Sequence, residues 1–244
     1  MNVRRLRLCL ILGLMACDDY EPDYTPERGD LGKGRFIYQC LGESDAACAD
    51  GEQFPQAIAV NARFAMRFAI NSGVQPVVIA GAPAFAQPVV GGFKAVRAGQ
   101  LSLLAVNGNR EVIDIKHVRS AEIAEVRVKR GDSLPEKELY LAVGTPSEVQ
   151  AVPFDVVGVE LAGAVEYAWS SADPTMVAVE TLSDLSRVRI RALRAGETTL
   201  NVMAGGQSLS LVVHADDEAP SDPDAGEGDS GMSDDDAGPD GGVE

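Results

Sequence analysis

The chain has 244 residues, room for one or two domains, with 45% hydrophobic but only 5% aromatic residues and a single tryptophan, Trp169. Few aromatics speak against a large aromatic-lined binding groove. The net charge of −16 is unevenly spread: residues 17–32 sum to −5, residues 216–244 to −12, and residues 33–215 to only −2. No basic stripe is read along the sequence, so nucleic-acid binding through phosphate neutralisation is unsupported.

In chain order, the first element is an export signal over residues 1–16. Arg4, Arg5 and Arg7 precede an apolar run from Leu8 to Ala16, which is shorter than the roughly 20 residues a membrane-spanning helix needs. Leu14-Met15-Ala16-Cys17 resembles the lipobox of bacterial lipoproteins. The resemblance implies cleavage before Cys17 and a diacylglycerol group on its thiol. Each buried CH₂ of such chains adds about 0.8 kcal/mol of membrane affinity. Met15 departs from the small residue usual there, and an ordinary secretory signal with an incidental cysteine is the alternative. Asp18 resembles an inner-membrane retention signal of some Gram-negative bacteria. That rule varies between lineages, so either membrane, and either the periplasmic or the surface side, stays open.

Residues 17–32 are rich in Pro, Gly and acids and are expected to form a flexible tether. Cys40 and Cys48 follow in a C-x7-C spacing. In an oxidising compartment this predicts a short-loop disulfide, contributing about 2–3 kcal/mol. Half of a metal site is the alternative, but no partner pair of ligands is visible. Residues 216–244 carry twelve acids and no base. They cannot bury enough apolar surface to offset ordering entropy and are expected to be disordered. Calcium is conceivable there, although no EF-hand spacing occurs.

Between these ends lies a repeat. Residues 93–106 (FKAVRAGQLSLLAV) match 190–203 (IRALRAGETTLNVM) at an offset of 97, close to the ~100 residues of an immunoglobulin-type sandwich. In each copy a tight turn follows, Asn107-Gly108-Asn109 or Ala204-Gly205-Gly206, and then a closing strand. Val188, Ile190 and Ala192 alternate with arginines, and Phe64, Met66 and Phe68 form one apolar face; this period of two is the signature of half-buried strands. Residues 74–80, 122–128 and 139–154 are further strand candidates. His117 and His214 end the closing strands and are read as one repeated structural position.

Trp169-Ser170-Ser171-Ala172-Asp173-Pro174, the valine-rich strand after it, Val188 to Gly196, and Thr198 to Met203 resemble the bacterial immunoglobulin-like domain, group 2. The resemblance covers Tyr167 to Val213 and implies a β-sandwich over 121–215, although the connection from Val156 to Glu166 departs from the family's spacing. A diverged sandwich over 33–120 keeps the A-V-R-A-G element, but Asn71 to Pro76 lacks the tryptophan motif. The expected fold is therefore all-β: two tandem immunoglobulin-like sandwiches between an acidic tether and an acidic tail.

No phosphate loop, zinc signature or nucleophile elbow occurs. Converging acids are not excluded by sequence, but the expectation is no enzyme, no catalytic or metal residue and no cofactor. Trp169 reads as a core filler. The triplets Arg28-Gly29-Asp30 and Arg130-Gly131-Asp132 read as polar turns in linkers. Together these features predict an exported, membrane-anchored envelope lipoprotein whose sandwiches are non-catalytic spacer or protein-interaction modules, with envelope proteins or polysaccharide as partners and no nucleic acid. The alternative is a carbohydrate-binding or adhesive surface lipoprotein.

Overall fold

Alternation of apolar and polar side chains organises this chain into strands, turns and loops, with no α-helix among the described residues. The computed structural model describes residues 26–41, 44–45, 48, 54–71, 74–131, 133 and 136–217. The expected signal, Cys17 and residues 218–244 of the expected tail lie outside them.

The first sandwich has two sheets. One runs β1 (Glu27–Arg28), β2 (Arg35–Gln39), β4 (Arg63–Ala69), β7 (Gly92–Ala95) and β6 (Ala86–Val89), all antiparallel. The other runs β3 (Ala57–Ala59), β9 (Val112–Ala121), β8 (Gly99–Val106) and β5 (Val77–Ala80), with β3 parallel to β9. The second sandwich repeats this order. One sheet runs β10 (Glu125–Lys129), β12 (Pro146–Phe154), β15 (Arg187–Ala192) and β14 (Val177–Thr181). The other runs β11 (Glu138–Ala142), β17 (Gln207–Asp216), β16 (Gly196–Ala204) and β13 (Tyr167–Ser171), with β11 parallel to β17. Apart from β1, each strand of the first sandwich has its counterpart eight strands later. The repeat legible over fourteen residues is thus the visible part of an eight-stranded duplication, and tandem sandwiches are what the chain forms.

Core identity differs between the copies. Phe36, Phe64, Phe68 and Phe93 fill the first interior, with Phe36 and Phe68 edge-on at 4.8 Å. The second interior is aliphatic: Leu139, Ile190, Leu200 and Leu211 are fully or almost fully buried. Each such side chain contributes about 1.5–3 kcal/mol of burial free energy. Gly99 (φ 141°) and Gly196 (φ 139°) hold equivalent places at the start of β8 and β16, a backbone conformation that L side chains rarely adopt.

Several expectations shift. Within the tether expected over 17–32, Glu27–Arg28 is a strand that pairs with Arg35–Phe36, and residues 17–25 lie outside the described residues. The intervening turn is held by the buried Asp114 carboxylate, which accepts N–H groups from Leu31 (2.8 Å), Lys33 (2.7 Å) and Gly34 (3.1 Å). Arg28-Gly29-Asp30 is therefore packed against the sandwich and is not a linker; Asp132 of the other triplet lies outside the described residues. Residues 139–154 are two strands, separated by Gly144 (φ 82°). The histidines are not equivalent. The β8–β9 hairpin turns through residues 107–111, whereas β16–β17 turns through Gly205-Gly206 alone, both at positive φ as a two-residue hairpin turn requires. The register moves by two residues, so His214 corresponds to Arg119 and His117 to Val212.

Candidate functional site: the junction between the sandwiches

The segment 156–166, which departs from the expected spacing, is where the two sandwiches meet. It begins with Asp155, whose Oδ1 accepts N–H groups from Val157 (3.0 Å) and Val159 (2.8 Å), closing a tight turn. Its Oδ2 faces the Arg119 guanidinium of the first sandwich at 2.5 Å. Burial pushes this carboxyl's pKa up, but the Val159 and Val157 N–H groups and Arg119 outweigh it and hold the group below its ordinary 3.8.

The chain then lies along the free edge of β3. Ala162 N–H donates to Ala57 O and Ala162 O accepts from Ala59 N–H, both at 2.9 Å. Ala164 and Arg63 exchange two main-chain bonds, at 2.7 and 3.0 Å, and Val165 N–H donates to Ser44 O at 3.2 Å. The second sandwich thus supplies the main-chain partners that an edge strand otherwise exposes. Leu161, Ala162 and Val165 are buried in the process. Gly163 (φ 105°) fits because a Cβ there would stand 2.6 Å from the Ala62 methyl.

Cys40 and Cys48 are joined in a disulfide, with Cα atoms 6.0 Å apart. The loop between them presents Asp45, 1% exposed. This carboxylate accepts from Tyr38 Oη at 2.5 Å and from Gly163 N–H at 2.9 Å. Tyr167 lies nearby in β13, its hydroxyl buried without a hydrogen-bond partner among the described residues. Burial first, then the charges of Asp45, Asp184 and Glu160, push its pKa well above the ordinary tyrosine value. Sequence reading marked the cysteines but not Asp45, Gly163 or Asp155. The one legible signal was the odd length of 156–166.

The remaining candidates separate. His117 Nδ1 meets Asp30 Oδ2 at 2.6 Å. His214 stacks on Tyr140 between Glu138 and Glu197. No group of three or more His, Cys, Asp or Glu among the described residues could hold a metal ion. Trp169 is half-buried, packs against the core and donates from Nε1 to Leu185 O at 3.3 Å, the behaviour of a core filler.

Folding also gathers charge that is scattered in sequence. On the outer face of the five-stranded sheet, Arg28 lies opposite Arg35 and Arg63 opposite Lys94, with Arg67 between these pairs. No strand residue on this face is acidic. Like charges directly opposed across strands are unfavourable. On the matching face of the second sandwich acids stand among the arginines: Arg189 lies 2.7 Å from Glu148 and 3.7 Å from Glu180, and Arg127 lies 2.8 Å from Glu125. A cleft of about 680 Å³ opens beside the junction, lined by Arg63, Lys94, Asn61, Ser44 and Glu166.

No family model and no curated protein matches the chain. Among solved structures, domains 4 and 5 of the S-layer protein SbsC are 13% identical with a TM-score of 0.33, over 61% of this chain and 89% of that one. Domains 4–9 of SbsC are 14% identical with a TM-score of 0.37, over 80% of this chain and 30% of that one. The Escherichia coli adhesin FdeC is 16% identical with a TM-score of 0.29, over 66% of this chain and 61% of that one. Likenesses at this level carry no functional weight.

Proposed function

We propose that the chain is an exported lipoprotein, anchored through Cys17, whose two immunoglobulin-like sandwiches serve as a rigid non-catalytic spacer and interaction module of the bacterial envelope. The observation that carries the spacer reading is the junction. Five main-chain hydrogen bonds and the Arg119–Asp155 ion pair link the two halves, where tandem domains are by default free to move. The export reading rests on the basic start, the short apolar run and the lipobox resemblance at Leu14 to Cys17. Mass spectrometry of the mature N-terminus tests it directly. A processed chain that begins at Cys17 and carries acyl groups is the expected result; a processed chain with an unmodified Cys17 would reject the anchor.

A second reading, adhesion to polysaccharide, gains from the basic outer face of the first sandwich, whose described strands carry no acidic residue there. A positive face of this kind favours an acidic glycan over a neutral one. On a glycan array, saturable binding restricted to uronic-acid or phosphate-bearing polymers, lost in Arg63→Glu with Lys94→Glu, would favour adhesion over a pure spacer role.

A further inference from the structure

The second sandwich closes its open side with an indole; the first carries only a valine at the same place. Trp169 in β13 is paired with Val202, and Val78 in β5 is paired with Ala105. Ala105 and Val202 are equivalent through the 97-residue offset, so Val78 stands where Trp169 stands. The turns that follow also correspond. Asp173–Met176 in one copy and Ala82–Phe85 in the other close with the same fourth-to-first main-chain bond, and Met176 O and Phe85 O then accept from Leu193 and Val96. Beyond that turn, the β14–β15 hairpin continues to 182–187 and offers Leu185 O to the indole. The β6–β7 hairpin stops at Val90-Gly91. What remains in the first sandwich is a largely apolar groove of about 510 Å³ between the edges of β5 and β6, lined by Met66, Val78, Pro83, Pro88 and Phe93 with Arg67 as its one cation among the described residues.

Among the described residues the edge beside this groove is unpaired. β5 pairs with β8 on one side only, and its outward residues Val77 and Ile79 are 65% and 41% exposed. Exposed apolar edge strands are the surfaces on which extended segments add. The opposite edge of the same sheet, β3, already accepts an added main chain, the Ala162 segment of the second sandwich.

We propose that this groove is a docking site for a partner protein that adds an extended segment to β5 and inserts a tryptophan side chain where the second sandwich carries its own. This names a partner chemistry for the interaction role proposed above; it rests on that role but not on the lipid anchor.

The test uses the secreted chain, residues 18–244, titrated with the peptide acetyl-Val-Thr-Trp-Thr-Val-amide and followed by amide NMR. Saturable shifts at Val77 to Ala80 and Gly91 to Phe93 are expected. A peptide with leucine replacing tryptophan should bind about tenfold more weakly, since it buries far less ring surface. Val78→Trp should fill the groove, raise Tm and abolish peptide binding. Should that variant not fold, Ile79→Lys, at an exposed position, should abolish binding with Tm unchanged. The proposal is overturned by absent or unsaturable shifts, or by equal affinity for the leucine peptide. It is also overturned if β5 shifts disappear on dilution without peptide, which would mark edge pairing with a second copy. A groove that opens only when residues 18–25, which hold Tyr20 and Tyr24, are removed would assign it to the chain's own segment instead. An unacylated Cys17 in the mature protein would reject the anchor and leave these outcomes untouched.

Discussion

Replacing Asp45 by alanine removes a carboxylate that ties the disulfide loop to the second sandwich. In the folded chain it accepts from Tyr38 Oη and Gly163 N–H, and both donors are buried. Alanine cannot replace either bond at a side chain that is 1% exposed. Leaving a buried donor unsatisfied costs about 1–3 kcal/mol, so two donors set the expected loss at about 2–6 kcal/mol. Asp45→Asn keeps one acceptor oxygen and should cost roughly half of that. Urea unfolding gives the total, and amide hydrogen exchange at Ala162, Gly163 and Ala164 locates it. Protection at these three amides should fall with the global stability or faster. A loss under about 0.5 kcal/mol, within the range of an ordinary surface substitution, with these amides still fully protected, would refute the role assigned to Asp45.

Gly163→Ala should destabilise by about 2–4 kcal/mol, since it adds a methyl group against Ala62 at an unfavourable φ; differential scanning calorimetry against Gly108→Ala, whose new methyl meets open space, is the control. Tyr167→Phe removes a buried hydroxyl that has no partner among the described residues, so it should be neutral or stabilising by about 1–2 kcal/mol in urea unfolding. Asp114 and Asp155 are both held below their ordinary 3.8; burial raises each, but N–H donors outweigh it, with Arg119 adding to the effect at Asp155. A depressed folded-state value means that their stabilisation is complete above the unfolded value and is lost as pH falls through the folded one. Tm should therefore hold from neutrality to roughly pH 4 and drop below it, and Asp155→Asn should flatten part of that drop.

The fold was legible where the two copies kept the same spacing. Residues 93–106 and 190–203 share both register and the glycine that begins β8 and β16, so the repeat and its strand period could be read directly. It could not be followed further because connections changed length. The first hairpin is longer than its counterpart, which displaced the two histidines from each other. The counterpart of Asp173-Pro174 is Ala82-Pro83, whose aspartate is absent, so the turn was sought at Asn71 to Pro76 instead. Cys40 and Cys48 could be paired from spacing and compartment, but what their loop holds could not. Asp45 and Gly163 are 118 positions apart, and nothing local marks either. Arg28, Arg35, Arg63, Arg67 and Lys94 lie on one face only because β1, β2, β4 and β7 are adjacent. A stripe written across strands leaves no run along the chain.

Residual dipolar couplings of the backbone amides, measured on residues 18–244 in a weakly aligning medium, examine the central idea directly. If the two halves are fixed to one another through the Ala162 segment, couplings from 54–121 and from 125–216 fit one alignment tensor of common magnitude and axes. Two tensors of different magnitude would mean that the halves reorient independently, and the rigid spacer would be lost.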